Sequence, residues 1–331
     1  MRARNTAAWT MAVAGGVPAW LTYRAYRREI GAAERRVAGG SELAQTRRGP
    51  IEYADDGDGF PLLVIHGAGG GFDQLLDFDR DSALRRLGFR RIFVSRFGYL
   101  RTPLPADGSP RAQAAAYAAL LHTLGVKRCA VIAVSAGAPS ALEFAAHHPD
   151  RCAALVLLVP AAYAPGAGVT AAPEAPRIMN AFCNLLLTSD FAFWLTAKLG
   201  RSMLVRTILG TPPEIAAQAS PAEQHRITAI LAGILPVRRR RAGLLNDTRM
   251  MARLQPANLS AIQAPTLVVS VNDDLYGTYR SARYIAGAVP HARLVMYPDG
   301  GHLWVGHDEG LRRELSDFLR PIAAAALRPA A

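Results

Sequence analysis

The tightest constraint on this chain is an apolar strand that passes into a helix through a single serine. Residues 130–145 read AVIAVSAGAPSALEFA, with Ser135 at the corner and the small residues Ala133 and Gly137 two positions to either side. A chain that turns from strand to helix within one residue strains that residue and presses its neighbours against other backbone, so both must be small. The pattern predicts that Ser135 presents a nucleophilic hydroxyl; an ordinary serine helix cap is the alternative.

Two backbone N–H groups are predicted to stabilise negative charge beside this serine. The first belongs to Ala136, because the opening amides of a helix are unpaired and its dipole favours an anion. The second belongs to Ala68, in a glycine run that follows another strand (PLLVIHGAGGG, residues 61–71) and can turn its amides towards a site. A phosphate-binding loop is the alternative, but the run lacks both the G-K-[ST] ending and a G-x-G-x-x-G spacing.

A serine nucleophile needs a base and an acid that orients the base, and both occur downstream at strand ends. A short β-branched strand over 265–271 is followed by Asp273 and Asp274, and a second strand over 292–298 is followed by Asp-Gly-Gly and His302. The two glycines allow a sharp loop back towards the nucleophile, so we predict His302 as the base in preference to His307. The residues alone leave the acid open between the two neighbouring aspartates.

The glycine loop, the serine turn, the aspartate and the histidine follow one another in the order of the α/β-hydrolase family, which this chain resembles from about Pro50 to its C-terminus. The chain has A-x-S-x-G where the family usually has G-x-S-x-G. The resemblance implies Asp274 as the acid, with Asp273 as a turn or cap residue, and a structural role for His66. It implies no metal or organic cofactor, and a serine nucleophile makes epoxide opening and halide displacement unexpected.

The wider pattern predicts the α/β class, a mostly parallel twisted sheet with helices on both faces. Short apolar strands alternate with helices over 40–159 and 265–331, which we predict to form the hydrolase core. Between them, residues 160–264 lose the alternation and show apolar residues at helical spacing, among them Met179, Phe182, Leu186, Phe193, Leu199 and Met203. The resemblance implies that this segment is a helical cap over the active site.

The implied activity is hydrolysis of an acyl bond through an acyl-enzyme. A carboxylic ester of an apolar small molecule is the expected substrate, because the predicted cap is apolar. A carbon–carbon bond hydrolase acting on dienoic ring-cleavage products, or a cofactor-free perhydrolase, is the alternative within the family. From a different class, a membrane-anchored relative that binds a ligand without turning it over is also considered.

The first 39 residues lie outside the resemblance and predict contact with a membrane. Residues 6–23 carry no charge, and as a helix they would be about 27 Å long, close to the thickness of a bilayer core. We expect a membrane anchor; a helix lying on the surface and a cleaved signal sequence with an exported domain are the alternatives. More arginines follow the segment than precede it, which favours a catalytic domain on the cytoplasmic side.

The net charge of +12 favours anionic surfaces, and since no nucleic-acid-binding motif is recognisable we expect a membrane rather than nucleic acid as the partner. The four arginines at 238–241 are interpreted as a solvated helix face, with attraction of an acidic substrate as the alternative. Three cysteines give no disulfide framework. Cys129 and Cys152 each open a strand, and we predict buried free thiols that lie side by side; Cys183 is the third.

Overall fold

One eight-stranded sheet organises the computed structural model, which describes residues 3–76, 83–166 and 185–326. Its strands are β1 (Glu42–Thr46), β2 (Gly49–Asp56), β3 (Phe60–Ile65), β4 (Phe89–Val94), β5 (Cys129–Val134), β6 (Cys152–Leu158), β7 (Thr266–Val271) and β8 (Ala292–Tyr297). The order across the sheet is β1-β2-β4-β3-β5-β6-β7-β8. Only the β1–β2 and β2–β4 pairs are antiparallel, so the predicted mostly parallel sheet is confirmed.

Helices cover both faces of this sheet, as predicted. The described helices are α1 (Ala3–Ala38), α2 (Phe72–Leu76), α3 (Ala83–Arg86), α4 (Pro110–Thr123), α5 (Ala138–His147), α6 (Asp190–Leu199), α7 (Arg201–Thr207), α8 (Pro213–Gln218), α9 (Pro221–Gly233), α10 (Arg241–Met251), α11 (Thr278–Ala288) and α12 (Asp308–Ala326). Helices α4, α5 and α11 bury their apolar residues against one face, and α2, α3 and α12 against the other. Strands β3, β5, β6 and β7 are largely buried on both sides and therefore read as continuous apolar runs, whereas the edge strands β1 and β8 are partly exposed.

Helices α6 to α10 follow one another in the described part of the chain between β6 and β7, and we call residues 185–264 the helical insert. It has an apolar core of its own, in which Phe193 is buried against residues of the later helices. Leu199 and Met203, also predicted to pack at helical spacing, are exposed instead, while Met179 and Phe182 lie outside the described residues. The division of the chain at residues 39, 159 and 264 into anchor, core and cap stays a prediction.

Helix α1 packs against this insert through its C-terminal half. Ile30 and Ala33 are buried in the core of the insert, and the ring of Tyr26 meets those of Phe191 and Trp194 edge-on at centroid distances of 5.1 and 5.7 Å. Trp194 also donates a hydrogen bond through Nε1 to a Glu29 carboxylate oxygen, at 3.0 Å. The first 39 residues are therefore not an independent appendage, because their second half is part of the folded body.

The predicted transmembrane helix is not found. Helix α1 runs without a break through residues 6–23, yet no helix of the described residues combines the length and the apolar character needed to cross a membrane. The prediction depended on the absence of charge in this stretch. Glycine, threonine, tryptophan, tyrosine and Pro18 make up much of it, however, so its mean hydropathy is too low for a membrane-spanning helix.

The two strand-opening cysteines lie side by side, as predicted. Cys129 and Cys152 are register partners at the start of the parallel β5–β6 pair, and both are free and buried. Burial raises the pKa of the Cys152 thiol to about 12 and also raises that of Cys129, so both stay protonated at neutral pH. Cys183 lies outside the described residues.

Candidate active site

Ser135 occupies the strained corner that the sequence predicts. Strand β5 ends at Val134, a single 3-10 turn spans Ser135–Gly137, and α5 follows at once. The φ of Ser135 is +50°, in the left-handed region that a residue with a Cβ rarely adopts. A Cβ on Gly137 would lie 2.8 Å from the carbonyl oxygen of His66, so this position must be glycine. The turn therefore holds the serine in one orientation at the carboxyl end of the sheet.

Asp274 and His302 meet at that same end of the sheet. Asp274 Oδ2 lies 2.8 Å from His302 Nδ1, and the carboxylate is completely buried. It also accepts hydrogen bonds from the backbone N–H of Tyr276 at Oδ1, 2.8 Å away, and from the hydroxyl of Thr278 at Oδ2. These donors fix the carboxylate, which in turn fixes the plane of the imidazole.

The neighbouring Asp273 has a different structural role. Asp273 accepts hydrogen bonds from the backbone N–H groups of Gly300 at 3.3 Å and Gly301 at 2.7 Å, and both glycines have positive φ values. It therefore fastens the sharp loop that delivers His302 without contacting the imidazole. His307, the other candidate base, lies 3.0 Å from Asp299 through Nε2 and stacks on Tyr297, and it does not line the cavity described below.

The glycine loop crosses directly beside the serine. A Cβ on Gly67 would come within 3.2 Å of the Ser135 Cβ, a tight contact that glycine avoids. Behind the loop, His66 accepts a hydrogen bond at Nε2 from the Arg96 backbone N–H at 3.0 Å, which places its proton on Nδ1, 2.6 Å from the Gly67 oxygen. Burial and the Arg96 charge lower the pKa of His66 well below its ordinary value, so it stays neutral.

Ser135 and His302 line one cavity of about 1210 Å³, together with Gly67, Ala68 and Ala136. Within the described residues no hydrogen bond joins the Ser135 hydroxyl to His302; such bonds are often long before a substrate is bound. The helical insert supplies much of the apolar wall, from Ile208, Leu209, Ile230, Leu244 and Met251. In the part of the chain that is described, no group of three His, Cys, Asp or Glu side chains is arranged to hold a metal ion.

Tyr276 ties the acid loop to the insert, and nothing in the sequence pattern singled it out. Its ring stands edge-on to His302 at 4.9 Å, and its hydroxyl donates to the carbonyl oxygens of Thr207 at 3.0 Å and Ile208 at 2.9 Å, where α7 ends. The carbonyl oxygen of Gly210, two residues after Ile208, accepts a hydrogen bond from the backbone N–H of His302 at 3.2 Å. The position of the imidazole therefore depends on the insert as well as on the core.

The arginine run at 238–241 is only in part the solvated face that we predicted, because Arg238 and Arg239 are exposed but Arg240 is not. The Arg240 side chain is completely buried and donates to both carboxylate oxygens of Asp73, at 3.1 and 2.8 Å, and to the carbonyl oxygen of Gly70, at 2.6 Å. Arg36 of α1 reaches the same Asp73 at 2.9 Å. Burial alone would raise the pKa of Asp73, but the two guanidinium groups lower it, so the carboxylate stays ionised. Through its ion pairs with Arg36 and Arg240, Asp73 links α1 and the insert to the core.

Sequence and structure comparisons relate this chain to known proteins. A protein-family model of the alpha/beta hydrolase fold matches residues 61–305 of this chain. The chain is 28% identical over 271 residues to the "Putative carbamate hydrolase RutD" of Pseudomonas savastanoi pv. phaseolicola, across 78% of this chain and 93% of that protein. It is 24% identical over 296 residues to a 2-hydroxy-6-oxononadienedioate/2-hydroxy-6-oxononatrienedioate hydrolase of Pseudomonas putida, across 86% and 97%. A solved alpha/beta hydrolase fold protein from Nakamurella multipartita is 30% identical and superposes with a TM-score of 0.66, across 85% and 99%.

Proposed function

The chain belongs to the alpha/beta hydrolase family and is a hydrolase, and from that premise we propose that it is a serine hydrolase whose nucleophile, base and acid are Ser135, His302 and Asp274. One observation carries the proposal: the imidazole of His302, held at 2.8 Å by Asp274, opens into the same cavity as a serine at a φ of +50°. An oriented imidazole and a hydroxyl that faces the same cavity from a strained turn are what nucleophilic acyl transfer requires.

The proposed mechanism assigns each proton. His302 Nε2 takes the proton of the Ser135 hydroxyl as its oxygen attacks the substrate carbonyl, while Asp274 keeps the other imidazole proton on Nδ1. The N–H groups of Ala68 and Ala136 donate to the oxyanion of the tetrahedral intermediate. His302 then protonates the leaving alcohol, and a water molecule, deprotonated by the same imidazole, releases the acid product and restores Ser135.

An apolar carboxylic ester is the substrate class that we propose, since much of the wall supplied by the insert is aliphatic. We propose that the insert is a cap, because its helices supply this wall and contact the His302 loop. Carbon–carbon bond hydrolysis is the second candidate, favoured by the similarity to the Pseudomonas putida hydrolase across 86% of the chain. Rates for aryl and alkyl esters, a carbamate and a dienoic ring-cleavage diketone, measured side by side, separate these substrates.

Labelling with a fluorophosphonate tests the nucleophile. We expect the folded full-length protein to take up one equivalent of probe at Ser135, because the probe reacts with a serine hydroxyl that a base activates. The tryptic peptide that spans residues 129–151 contains a second serine, Ser140, whose hydroxyl is buried and donates to the Gly137 carbonyl oxygen at 2.9 Å.

Ser140→Ala is therefore the matched control, and it should be labelled as fast as the natural protein. Fragment spectra of the labelled peptide place the probe on one serine or the other. A folded protein that takes up no probe, or takes it up at Ser140, contradicts the proposed function.

We also propose that helix α1 contacts an anionic membrane surface from outside the hydrocarbon core. Trp20, Leu21 and Tyr23 are 56%, 53% and 52% exposed on α1, although tryptophan and leucine are usually covered in a folded body. Aromatic side chains that emerge beside exposed arginines suit the level of the lipid headgroups. The side of the membrane on which the protein would lie, cytoplasmic in our expectation, stays a prediction.

Sedimentation with vesicles tests this contact. The full-length protein should bind phosphatidylglycerol vesicles and not phosphatidylcholine vesicles, and 0.5 M salt should release it. Replacing the exposed residues Arg24, Arg27 and Arg28 by glutamine should weaken binding by about two orders of magnitude, since each arginine contributes about 1 kcal/mol near such a surface. The pair Arg47→Gln and Arg48→Gln, equally exposed on the β1–β2 turn, should change it far less. Equal binding to both lipids would end the proposal.

A further inference from the structure

Arg96 is a buried cation in the loop after β4, and it contacts both segments of the proposed oxyanion hole. Its Nη2 donates to the carbonyl oxygen of Gly67 at 3.3 Å, and its Nη1 donates to that of Ala136 at 3.0 Å. Both guanidinium nitrogens also donate to the carboxylate of Asp247, which comes from α10 of the helical insert. Four acceptors around one planar fork hold the guanidinium in a single orientation.

The contact with Gly67 determines where the Ala68 N–H points. The Gly67 carbonyl and the Ala68 N–H belong to one trans peptide unit, so the two groups point in opposite directions. The carbonyl is held from behind by Arg96 and by the Nδ1–H of His66, which leaves the N–H directed away from them. Hydrogen bonds to a carbonyl also polarise its peptide unit, and they strengthen the N–H as a donor.

The second donor is fixed in the same manner from two sides. The Ser135 carbonyl, in one peptide unit with the Ala136 N–H, accepts the backbone N–H of Ala161 at 3.2 Å. Arg96 holds the carbonyl on the other side of Ala136. Both peptide planes that flank this residue are therefore tied down, and its N–H cannot rotate without breaking one of these bonds.

Asp247 in turn is held by a second core residue. The Tyr99 hydroxyl donates to Asp247 Oδ2 at 2.6 Å and accepts the backbone N–H of Gly69 at 3.2 Å. Burial and the Asp247 carboxylate raise the pKa of Tyr99 well above its ordinary value, so the hydroxyl keeps the proton that it donates. The glycine loop is thus fastened at Gly67 and at Gly69, on both sides of Ala68.

We propose that Arg96, locked by Asp247 of the insert, is a positioning residue that orients the Ala68 and Ala136 N–H groups towards the oxyanion. The inference rests on the proposed function, because an oxyanion forms only if Ser135 attacks a carbonyl. It gives the insert a part in the reaction beyond covering the cavity. Helix α10 supplies the carboxylate that holds the guanidinium in place.

The test compares an ester with its thionoester, in which sulfur replaces the carbonyl oxygen and accepts hydrogen bonds poorly. Arg96→Lys and Asp247→Asn should lower kcat for the ester about 10- to 100-fold, less than the loss of a whole oxyanion donor. KM should change less than about threefold, because ground-state contacts with the substrate stay in place. The thionoester should lose much less, so the ester-to-thionoester ratio of kcat/KM should fall.

Two further variants keep the outcome clear. Tyr99→Phe removes a single hydroxyl and should lower the same ratio about two- to fivefold, so it reports on the network even if Arg96→Lys does not fold. Arg91→Lys changes another buried arginine, in β4 and outside the cavity lining, and should leave the ratio unchanged.

Equal losses for ester and thionoester in the folded variants, or no loss for either, would overturn the positioning role. Failure of the proposed function is distinguishable, because the natural protein would then take up no fluorophosphonate at Ser135 and turn over neither substrate. Circular dichroism and thermal unfolding establish which variants fold.

Discussion

Replacement of His302 by alanine is expected to lower kcat for an ester substrate by about 10⁴- to 10⁶-fold. The serine hydroxyl is a weak nucleophile unless a base removes its proton, and His302 has the only imidazole among the described residues that lines the cavity and contacts a buried carboxylate. The backbone N–H of His302 keeps its hydrogen bond to Gly210 in the variant, so the loop should keep its shape. Steady-state kinetics and thermal unfolding, measured together, check both expectations.

His307→Ala is the matched control for this prediction. His307 lies five residues further on, contacts an aspartate and stacks on an aromatic ring, so the alanine variant loses side-chain contacts of a similar kind to those of His302. We expect kcat to change less than about threefold. The double variant Ser135→Ala with His302→Ala should be no slower than either single variant, because the two side chains act as one unit. Additive losses, or a large loss for His307→Ala, would contradict the assignment.

The parts of the fold that the sequence made predictable are those with strong local patterns. The turn at Ser135 was readable because a strained corner needs small residues within two positions, and Gly137 shows the contact that requires them. Most parallel strands were readable because they are buried on both faces. Strand β1 is not predictable in this way, because Glu42–Thr46 is a short edge strand with largely exposed side chains and carries no such pattern.

The contacts between distant segments were not predictable in the same way. Arg96 and Asp247 are 151 residues apart, and Arg240 and Asp73 are 167 residues apart. Each looks like a surface charge in the sequence, because lysine, arginine and aspartate are rarely buried unless paired, and the partner cannot be identified without the fold. For this reason the interpretation of 238–241 as a solvated face is wrong for Arg240, although Arg238 and Arg239 are exposed as predicted.

These long-range contacts share one property: each joins the helical insert to a segment of the proposed site. Arg96 and Asp247 connect α10 to the glycine loop, Arg240 and Asp73 connect the insert to α1 and to Gly70, and Tyr276 connects the end of α7 to the His302 loop. Breaking a buried ion pair leaves one charge unpaired and costs several kcal/mol, so the insert is held firmly against these segments. Movement of the insert would displace the proposed oxyanion donors and base together.

The second large effect is expected for Asp274→Asn, with a fall in kcat of about 10³- to 10⁴-fold and little change in KM. The carboxylate accepts the Nδ1 proton of His302 and thereby leaves Nε2 free to take the serine proton. An asparagine amide in the same place can donate to Nδ1, which moves the imidazole proton to Nε2 and blocks proton transfer from Ser135. The effect is on the imidazole tautomer, so it should appear in kcat and in the rate of fluorophosphonate labelling alike.

Asp273→Asn provides the sharpest comparison, because the two residues are adjacent and the chemical change is identical. Asp273 only accepts N–H bonds from Gly300 and Gly301, and an amide oxygen can still accept the shorter of the two, at 2.7 Å. We expect a loss of less than about tenfold, together with a modest drop in unfolding temperature as the loop loosens. If Asp273→Asn were the slower variant, the acid would be misassigned and the neighbouring carboxylate would have to reach His302 when substrate binds. If both variants kept nearly full activity, the imidazole would need no carboxylate partner, and the proposed mechanism would be wrong.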